Sequence, residues 1–439
     1  MGRLPDRRPV RRRRSVGRQH DGLRPGSRGI EGVSGGIRMG PAGMTGAPLG
    51  LVSAEETEEL LARLVAIESH EDAPGQEEAT AAYIAGRLQE EGIASDILPT
   101  PEGRLNVVAR LPGTGGGPSL LLNGHMDTVP PYGMTEPFTA RKRDGRIYGR
   151  GAVDMKGALA AMMTALIAFR RSGLPLAGDL IFAATAGEES YSPGASHLAS
   201  GGFLADYAIV GEPTRLKTGV AHKGVAWYEA EFPGLSAHGS VPEQGINAIY
   251  RASRWISYLQ DHYLPELARR SHPLLGSPTL NVGMIEGGTR PVIVPSACRV
   301  AFERRLIPGE TAESALAELE LTLAETARLY PGFEGSVRLT DNFHGVPHGP
   351  LQASQGSELV RGLLAAYREE FPEEPEEACV PVGLQFWTDG ALLQACCPET
   401  VVCGPGRIEE AHSDAEYIEA GQLEKACRIY IRTAYALCV

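Results

Sequence analysis

Gly124-His125-Met126-Asp127-Thr128-Val129-Pro130 and Gly149-Arg150-Gly151-Ala152-Val153-Asp154-Met155-Lys156-Gly157 decide the reading of this chain. Each sets a metal-ligating side chain at the end of an apolar run, and each closes on a residue that stops regular structure, Pro130 or Gly157. Downstream come Glu188-Glu189, then Val210-Gly211-Glu212-Pro213, then Ala411-His412-Ser413. Two His and three carboxylates spread in this way form the donor set of a two-metal hydrolytic site.

The segments around these motifs alternate between helix and strand. Residues 54–67 repeat Leu60, Leu61, Leu64 and Val65 at helical spacing, and 77–91 give a second helix. Residues 106–111 and 119–122 read as buried strands, the second running into His125, and 156–171 form an Ala/Met-rich helix after Asp154. Strands over 179–184 and 207–210 deliver Glu188, Glu189 and Glu212 at their ends. Polar residues at strand ends, alternating with helices, predict an open α/β sheet with its site at the carboxyl edge. The order then becomes strand (220–232), helix (247–263), strands (279–285 and 298–305), helix (311–329) and strand (336–341), the βαββαβ pattern of a ferredoxin-like unit. A helix (357–371), a strand (399–403) and a closing helix (415–436) complete the chain. The expected fold class is α/β. A mixed-sheet catalytic domain with helices on both faces takes 51–217 and 345–439, and an inserted ferredoxin-like domain takes 218–344.

Bulk properties narrow the function. A chain of 439 residues suggests two to three domains, and 42% apolar with 22% charged residues is ordinary globular composition. No run approaches the roughly 20 apolar residues of a membrane helix, so no membrane partner is expected. The net charge of −12 counts against nucleic acid, which needs a basic face. Residues 1–50 break the average with eleven Arg against three acids, and their Gly-rich, apolar-poor composition predicts disorder. They read as a nucleic-acid arm, an Arg-rich transit peptide or, preferred here, a start placed too early, with Met39 or Met44 as the true one. The seven cysteines are odd in number and form no Cys-x-x-Cys pair, which fits buried thiols in a reducing cytoplasm.

Zinc takes imidazole nitrogen and carboxylate oxygen, and paired ions share a bridging carboxylate. His125 and His412 are the natural terminal ligands, Asp154 the bridge, with Glu189 and Glu212 completing the two sets. Asp127 lies on the same side of an extended strand as His125 and is expected to accept its other ring N–H. Glu188, beside a ligand, is placed to act as general base. A serine hydrolase is disfavoured, since no Gly-x-Ser-x-Gly elbow occurs.

These motifs, with Gly187-Glu188-Glu189 and Gly211-Glu212-Pro213-Thr214, resemble the two-zinc hydrolase family of acetylornithine deacetylase, succinyl-diaminopimelate desuccinylase, aminoacylase and carboxypeptidase G. The likeness runs from residue 54 to the end. Ala221-His222-Lys223-Gly224 and Thr279-Leu280-Asn281-Val282-Gly283 bring the chain nearest the acetylornithine deacetylase branch. The resemblance implies two Zn2+, with Co2+ as an alternative, and a small N-acyl amino acid as substrate, in the setting of arginine biosynthesis. It implies that the inserted domain acts as a lid and as the contact of a homodimer. It makes Glu188 the base and Asp127 the partner of His125. His238 would stabilise the oxyanion in the other subunit's site, and Arg305 would clamp the substrate carboxylate, with Arg304 as rival. The chain departs from the pattern at Val292, where many relatives carry Asn, at Glu303-Arg304 before the clamping Arg, and at Gly187 before the Glu pair. These departures bear on substrate choice. The alternatives are a desuccinylase, a dipeptidase or carboxypeptidase of the same family, and a non-enzymatic binding homologue.

Overall fold

The computed structural model describes residues 48–439, so the reading of the first fifty residues lies outside the described part except for its last three. The architecture is α/β. A large mixed sheet has the strand order Ala94–Pro99, Leu105–Leu111, Leu180–Thr185, Leu120–His125, Tyr207–Pro213, Glu399–Gly404, Gly219–His222 and Leu351–Gln352, with Val382–Leu384 also paired to Gly219–His222. The four strands Leu180–Thr185, Leu120–His125, Tyr207–Pro213 and Glu399–Gly404 run parallel. Helices crossing back over the sheet bury both faces of these strands, which is why they read as unbroken apolar runs.

Side-chain alternation assigns the two faces. Leu120, Leu122, Leu180, Phe182 and Ile209 pack with the helices Ala54–Val65, Glu78–Glu90, Gly157–Ser172 and Ala420–Cys438. Leu121, Ile181, Ala183, Ala208 and Val210 pack on the other face with Pro193–Ser200 and Gly390–Leu393. Full burial of one such Leu contributes about 2 kcal/mol. The helix Gly157–Ser172 is buried from Gly157 to Phe169, and Ala152–Ser172 is apolar and long enough by composition to cross a bilayer, contrary to the sequence reading. Packing accounts for this: the segment is buried as far as Phe169, and its Gly and Ala residues let sheet and neighbouring helices approach closely. Lys156 at its start is fully buried, donating to the carbonyls of Leu64 and Ile67 at the end of helix Ala54–Val65. Burial pushes its pKa down to about 7.

The second layer is an antiparallel four-stranded sheet, order Thr279–Gly287, Ala297–Leu306, Gly224–Pro233 and Ser336–Leu339. Numbered along the chain this is 2-3-1-4, the ferredoxin-like arrangement. Trp255, on helix Ala248–Tyr258, packs with Phe232 and Phe302, and its indole N–H donates to Thr322 of helix Ala312–Leu329. The expected single strand over 220–232 is two. Gly219–His222 belongs to the large sheet and Gly224–Pro233 to the small one, so the chain crosses between sheets at Lys223 rather than at 217/218. Gly224 is required there, because a Cβ would lie 2.7–2.8 Å from the returning backbone at His348–Pro350.

Candidate metal centre

The parallel strands bring the site together at their carboxyl ends. His125 is the last residue of Leu120–His125, Glu188 and Glu189 occupy the turn after Leu180–Thr185, and Glu212 lies at the end of Tyr207–Pro213. His412 comes from the loop after Glu399–Gly404. Asp154 sits in the irregular turn before helix Gly157–Ser172, with non-helical φ −125° and ψ 94°, and its peptide bond to Met155 is cis.

Asp154 stands at the middle. Its Oδ1 lies 3.0 Å from His125 Nε2, and its Oδ2 lies 3.2 Å from His412 Nε2. His125 Nε2 is also 3.4 Å from Glu212 Oε1, and His412 Nε2 is 3.0 Å from Glu189 Oε1. Ligand atoms of His125, Asp154 and Glu189 all lie within 4.8 Å of one another, as do those of His125, Glu188 and Glu212. Two ligands each 2.0–2.1 Å from a tetrahedral zinc are themselves about 3.3 Å apart, and the N–O separations above bracket that edge.

The proton inventory fits cations here. His125 Nδ1–H donates to the main-chain carbonyl of Asp127 at 2.9 Å, leaving Nε2 to face the oxygens of Asp154 and Glu212. Lone pairs then meet lone pairs unless a proton or a metal ion lies between them. Glu212 Oε1 is buried with no hydrogen-bond partner, a costly state for a carboxylate oxygen that coordination would relieve.

Asp127 holds the site in a way the sequence reading did not foresee. Its carboxylate Oδ1 is 3.6 Å from His125 Nδ1, and the short bond to the ring comes from its carbonyl instead. The carboxylate accepts the backbone N–H groups of Gly187 (2.9 Å), Glu188 (3.1 Å) and Glu189 (3.0 Å). Three N–H groups converging from one turn occupy both oxygens, so the imidazole takes the remaining acceptor. Asp127 thereby fixes the residues proposed as base and ligand.

Two expected substrate residues stand apart from this cluster. His238 Nδ1 is hydrogen-bonded to Ser240, and its backbone makes an isolated antiparallel bridge with Ile293. Arg305 is partly exposed and paired with Glu303 at 3.2 Å. Its rival Arg304 is 0% exposed and bound to Glu310, Tyr263 and the carbonyl of Arg305, so it is committed inside the fold. Val292 is exposed. Two acids were missed. Asp389 is buried and accepts from Thr185 Oγ1 at 3.0 Å, and burial pushes its pKa up to about 6. Glu416 is buried against Arg150 at 2.6 Å.

The crowding displaces proton affinities. Burial first, then the charge of Glu212, holds Glu188 well above the usual carboxylate range. Burial and Asp154 do the same to Glu212, and Glu189 rises for the same two reasons. Asp154 goes down despite its burial, because His125 and His412 both bond to it. His125 is raised against its burial by Glu212, Asp127 and Asp154, and His412 is pushed up to about 11 by Asp154 and Glu189. At neutral pH the metal-free site therefore carries protons on groups that must lose them to coordinate. Metal binding should release about one proton or more per ion, and affinity should fall as pH falls. Calorimetric titration in buffers of different ionisation enthalpy measures this; a binding heat independent of buffer would contradict it.

Comparison with known proteins follows the same lines. Residues 121–436 match the family described as Peptidase family M20/M25/M40. An acetylornithine deacetylase of Myxococcus xanthus is 32% identical over 365 residues, spanning 81% of this chain and 91% of the relative. A tripeptidase from Staphylococcus aureus subsp. aureus mu50 superposes with a TM-score of 0.71 at 21% identity, over 88% of this chain and 98% of that one. Bacillus subtilis YXEP, described as a dinuclear metal-binding peptidase of the M20 family, superposes with a TM-score of 0.62 at 18% identity, over 87% and 98%.

Proposed function

Since this chain belongs to peptidase family M20/M25/M40 and is a metallo-hydrolase of it, we propose that it removes the acyl group from an N-acyl amino acid, with N-acetylornithine the first candidate. The observation carrying this reading is the placement of Asp154, whose two oxygens face two different histidines. One ion would be held by His125 and Glu212, the other by His412 and Glu189, with Asp154 shared. Zn2+ suits these donors, and Co2+ can replace it. Bound there, the ions would polarise the amide carbonyl and lower the pKa of the attacking water.

The chain's own groups do the rest. Glu188 takes the proton of the attacking water and hands it to the leaving amine nitrogen, a role for which a carboxyl raised above its usual range is suited. Asp127 keeps Glu188 and Glu189 in register through their backbone N–H groups. Arg305 is read as the clamp for the substrate carboxylate, supported by the commitment of Arg304 elsewhere. His238 is read as the oxyanion donor acting across a homodimer. The outer strand Thr279–Gly287, with Met284 and Ile285 exposed, supports such a contact. Seven buried free cysteines support a reducing, cytoplasmic setting.

The deciding experiment is hydrolysis of a panel of N-acetyl amino acids, N-succinyl amino acids and dipeptides. N-acetylornithine should give the highest kcat/KM. A dipeptide cleaved best would assign the chain to the peptidase branch, and no turnover of any of them with metal bound would favour a binding homologue. Replacing Asp127 with Asn leaves one acceptor oxygen for three N–H groups. It should cost about 10–100-fold in activity or metal affinity, measured by steady-state kinetics and metal analysis; wild-type values for both would remove Asp127 from the site's support.

A further inference from the structure

Glu416 is buried, at 1% exposure, and every acceptor it has is directed at one stretch of chain. Its Oε1 accepts the backbone N–H groups of Val153 (3.0 Å) and Asp154 (3.2 Å). Its Oε2 accepts from Arg150 Nη1 at 2.6 Å, and its main-chain carbonyl accepts Gly149 N–H at 3.2 Å. The next residues, Tyr417–Glu419, pair antiparallel with Arg146–Tyr148. One side chain thus fastens the segment that presents Asp154.

That segment needs such a partner. Asp154 and Met155 leave the helical region, so the N–H groups of Val153 and Asp154 are buried where a regular helix would not satisfy them, and an unpaired buried N–H is strongly disfavoured. His412 lies four residues before Glu416 in the same loop. Its side chain is 50% exposed and its backbone has φ +58°, an uncommon conformation for a non-glycine residue, and Glu416 anchors the loop four residues on. The docking of the loop therefore places His412.

We propose that Glu416 is a positioning residue that sets Asp154 and His412 in place together, so that both ions, and above all the one held by His412, depend on Glu416 accepting the two N–H groups. The inference rests on Asp154 and His412 being ligands. It differs from a purely structural role, in which the Arg150–Glu416 ion pair would stabilise the fold with no preference between the two ions.

Two double variants separate these roles. Glu416→Leu with Arg150→Met removes both charges and both acceptors while keeping apolar volume, a replacement buried ion pairs commonly tolerate. Glu416→Gln with Arg150→Met removes the charges but keeps a carbonyl oxygen for the N–H groups. Metal-free wild type and variants are titrated with Co2+, followed by visible absorption and calorimetry. Wild type and the Gln variant should take two ions. The Leu variant should bind both ions more weakly, since both use Asp154, with the ion held by His412 losing about tenfold more than the other; equal weakening of the two ions would leave only the structural role. Wild-type affinity for both ions in the Leu variant, or equal weakening in the Gln variant, overturns the proposal alone. A wild-type protein that binds no Co2+ overturns it together with the metal-centre reading. Should the Leu variant fail to fold, Glu416→Ser with Arg150→Met takes its place with the same outcomes.

Discussion

Replacing Glu188 with Gln is expected to lower kcat by about 10²–10⁴-fold while both metal ions stay bound. The substitution keeps the size of the side chain and the N–H that Asp127 accepts at 3.1 Å, so the turn retains its shape. It removes the ionisable group of Glu188, whose carboxylate lies with His125 and Glu212, while the proposed ligands His125, Asp154, Glu189, Glu212 and His412 are kept. An amide cannot take the proton of the attacking water, so the loss should fall on kcat more than on KM. The acidic limb of the kcat/KM profile should also disappear. Steady-state kinetics and metal analysis of the same preparation check this. Unchanged turnover would move the base elsewhere, with buried Asp389 the next group to replace.

Removing the metal should abolish activity to background, and restoring Zn2+ or Co2+ should bring it back. The metal-free protein should also show a distinctive pH dependence of stability. Glu188, Glu189 and Glu212 have folded-state pKa values above their ordinary ones. Groups raised in this way contribute stability below the unfolded pKa and lose it as pH rises through the folded one. The metal-free Tm should therefore fall as pH rises past the ordinary carboxylate range. Metal addition should oppose that fall, because cations then occupy the space between the carboxylates. Thermal unfolding across pH, with and without metal, measures both effects. Full activity after exhaustive chelation would refute the metal-dependent mechanism.

Much of the site was legible because its residues end buried strands. A strand covered on both faces is an unbroken apolar run, and the polar residue that follows stands out, as His125 does after Leu120–Leu122 and Glu212 after Ala208–Val210. The inward turn of Arg304 was also within reach. Val300, Phe302, Arg304 and Leu306 share the buried parity of one strand, so the alternation alone turns Arg304 inward. Other features left no trace. The edge strand Ala94–Pro99 is mostly exposed and carries no alternation. The break at Lys223 lies inside a run that is apolar on both sides. Asp389 and Glu416 are single acids in loops, and what defines them is which distant N–H or hydroxyl they accept, a relation that no local spacing encodes. Asp127 was found by its place beside His125, but its three backbone partners lie some sixty residues away.

The order of the parallel strands also sets a timetable. Three of them, with His125, Asp154, Glu188, Glu189 and Glu212, precede the whole four-stranded layer in the chain, while Glu399–Gly404 and His412 follow it. During synthesis the candidate ligands His125, Asp154, Glu189 and Glu212 are made long before the loop that carries His412. A chain ending anywhere within the four-stranded layer would lack both His412 and the central strand Glu399–Gly404 that precedes its loop.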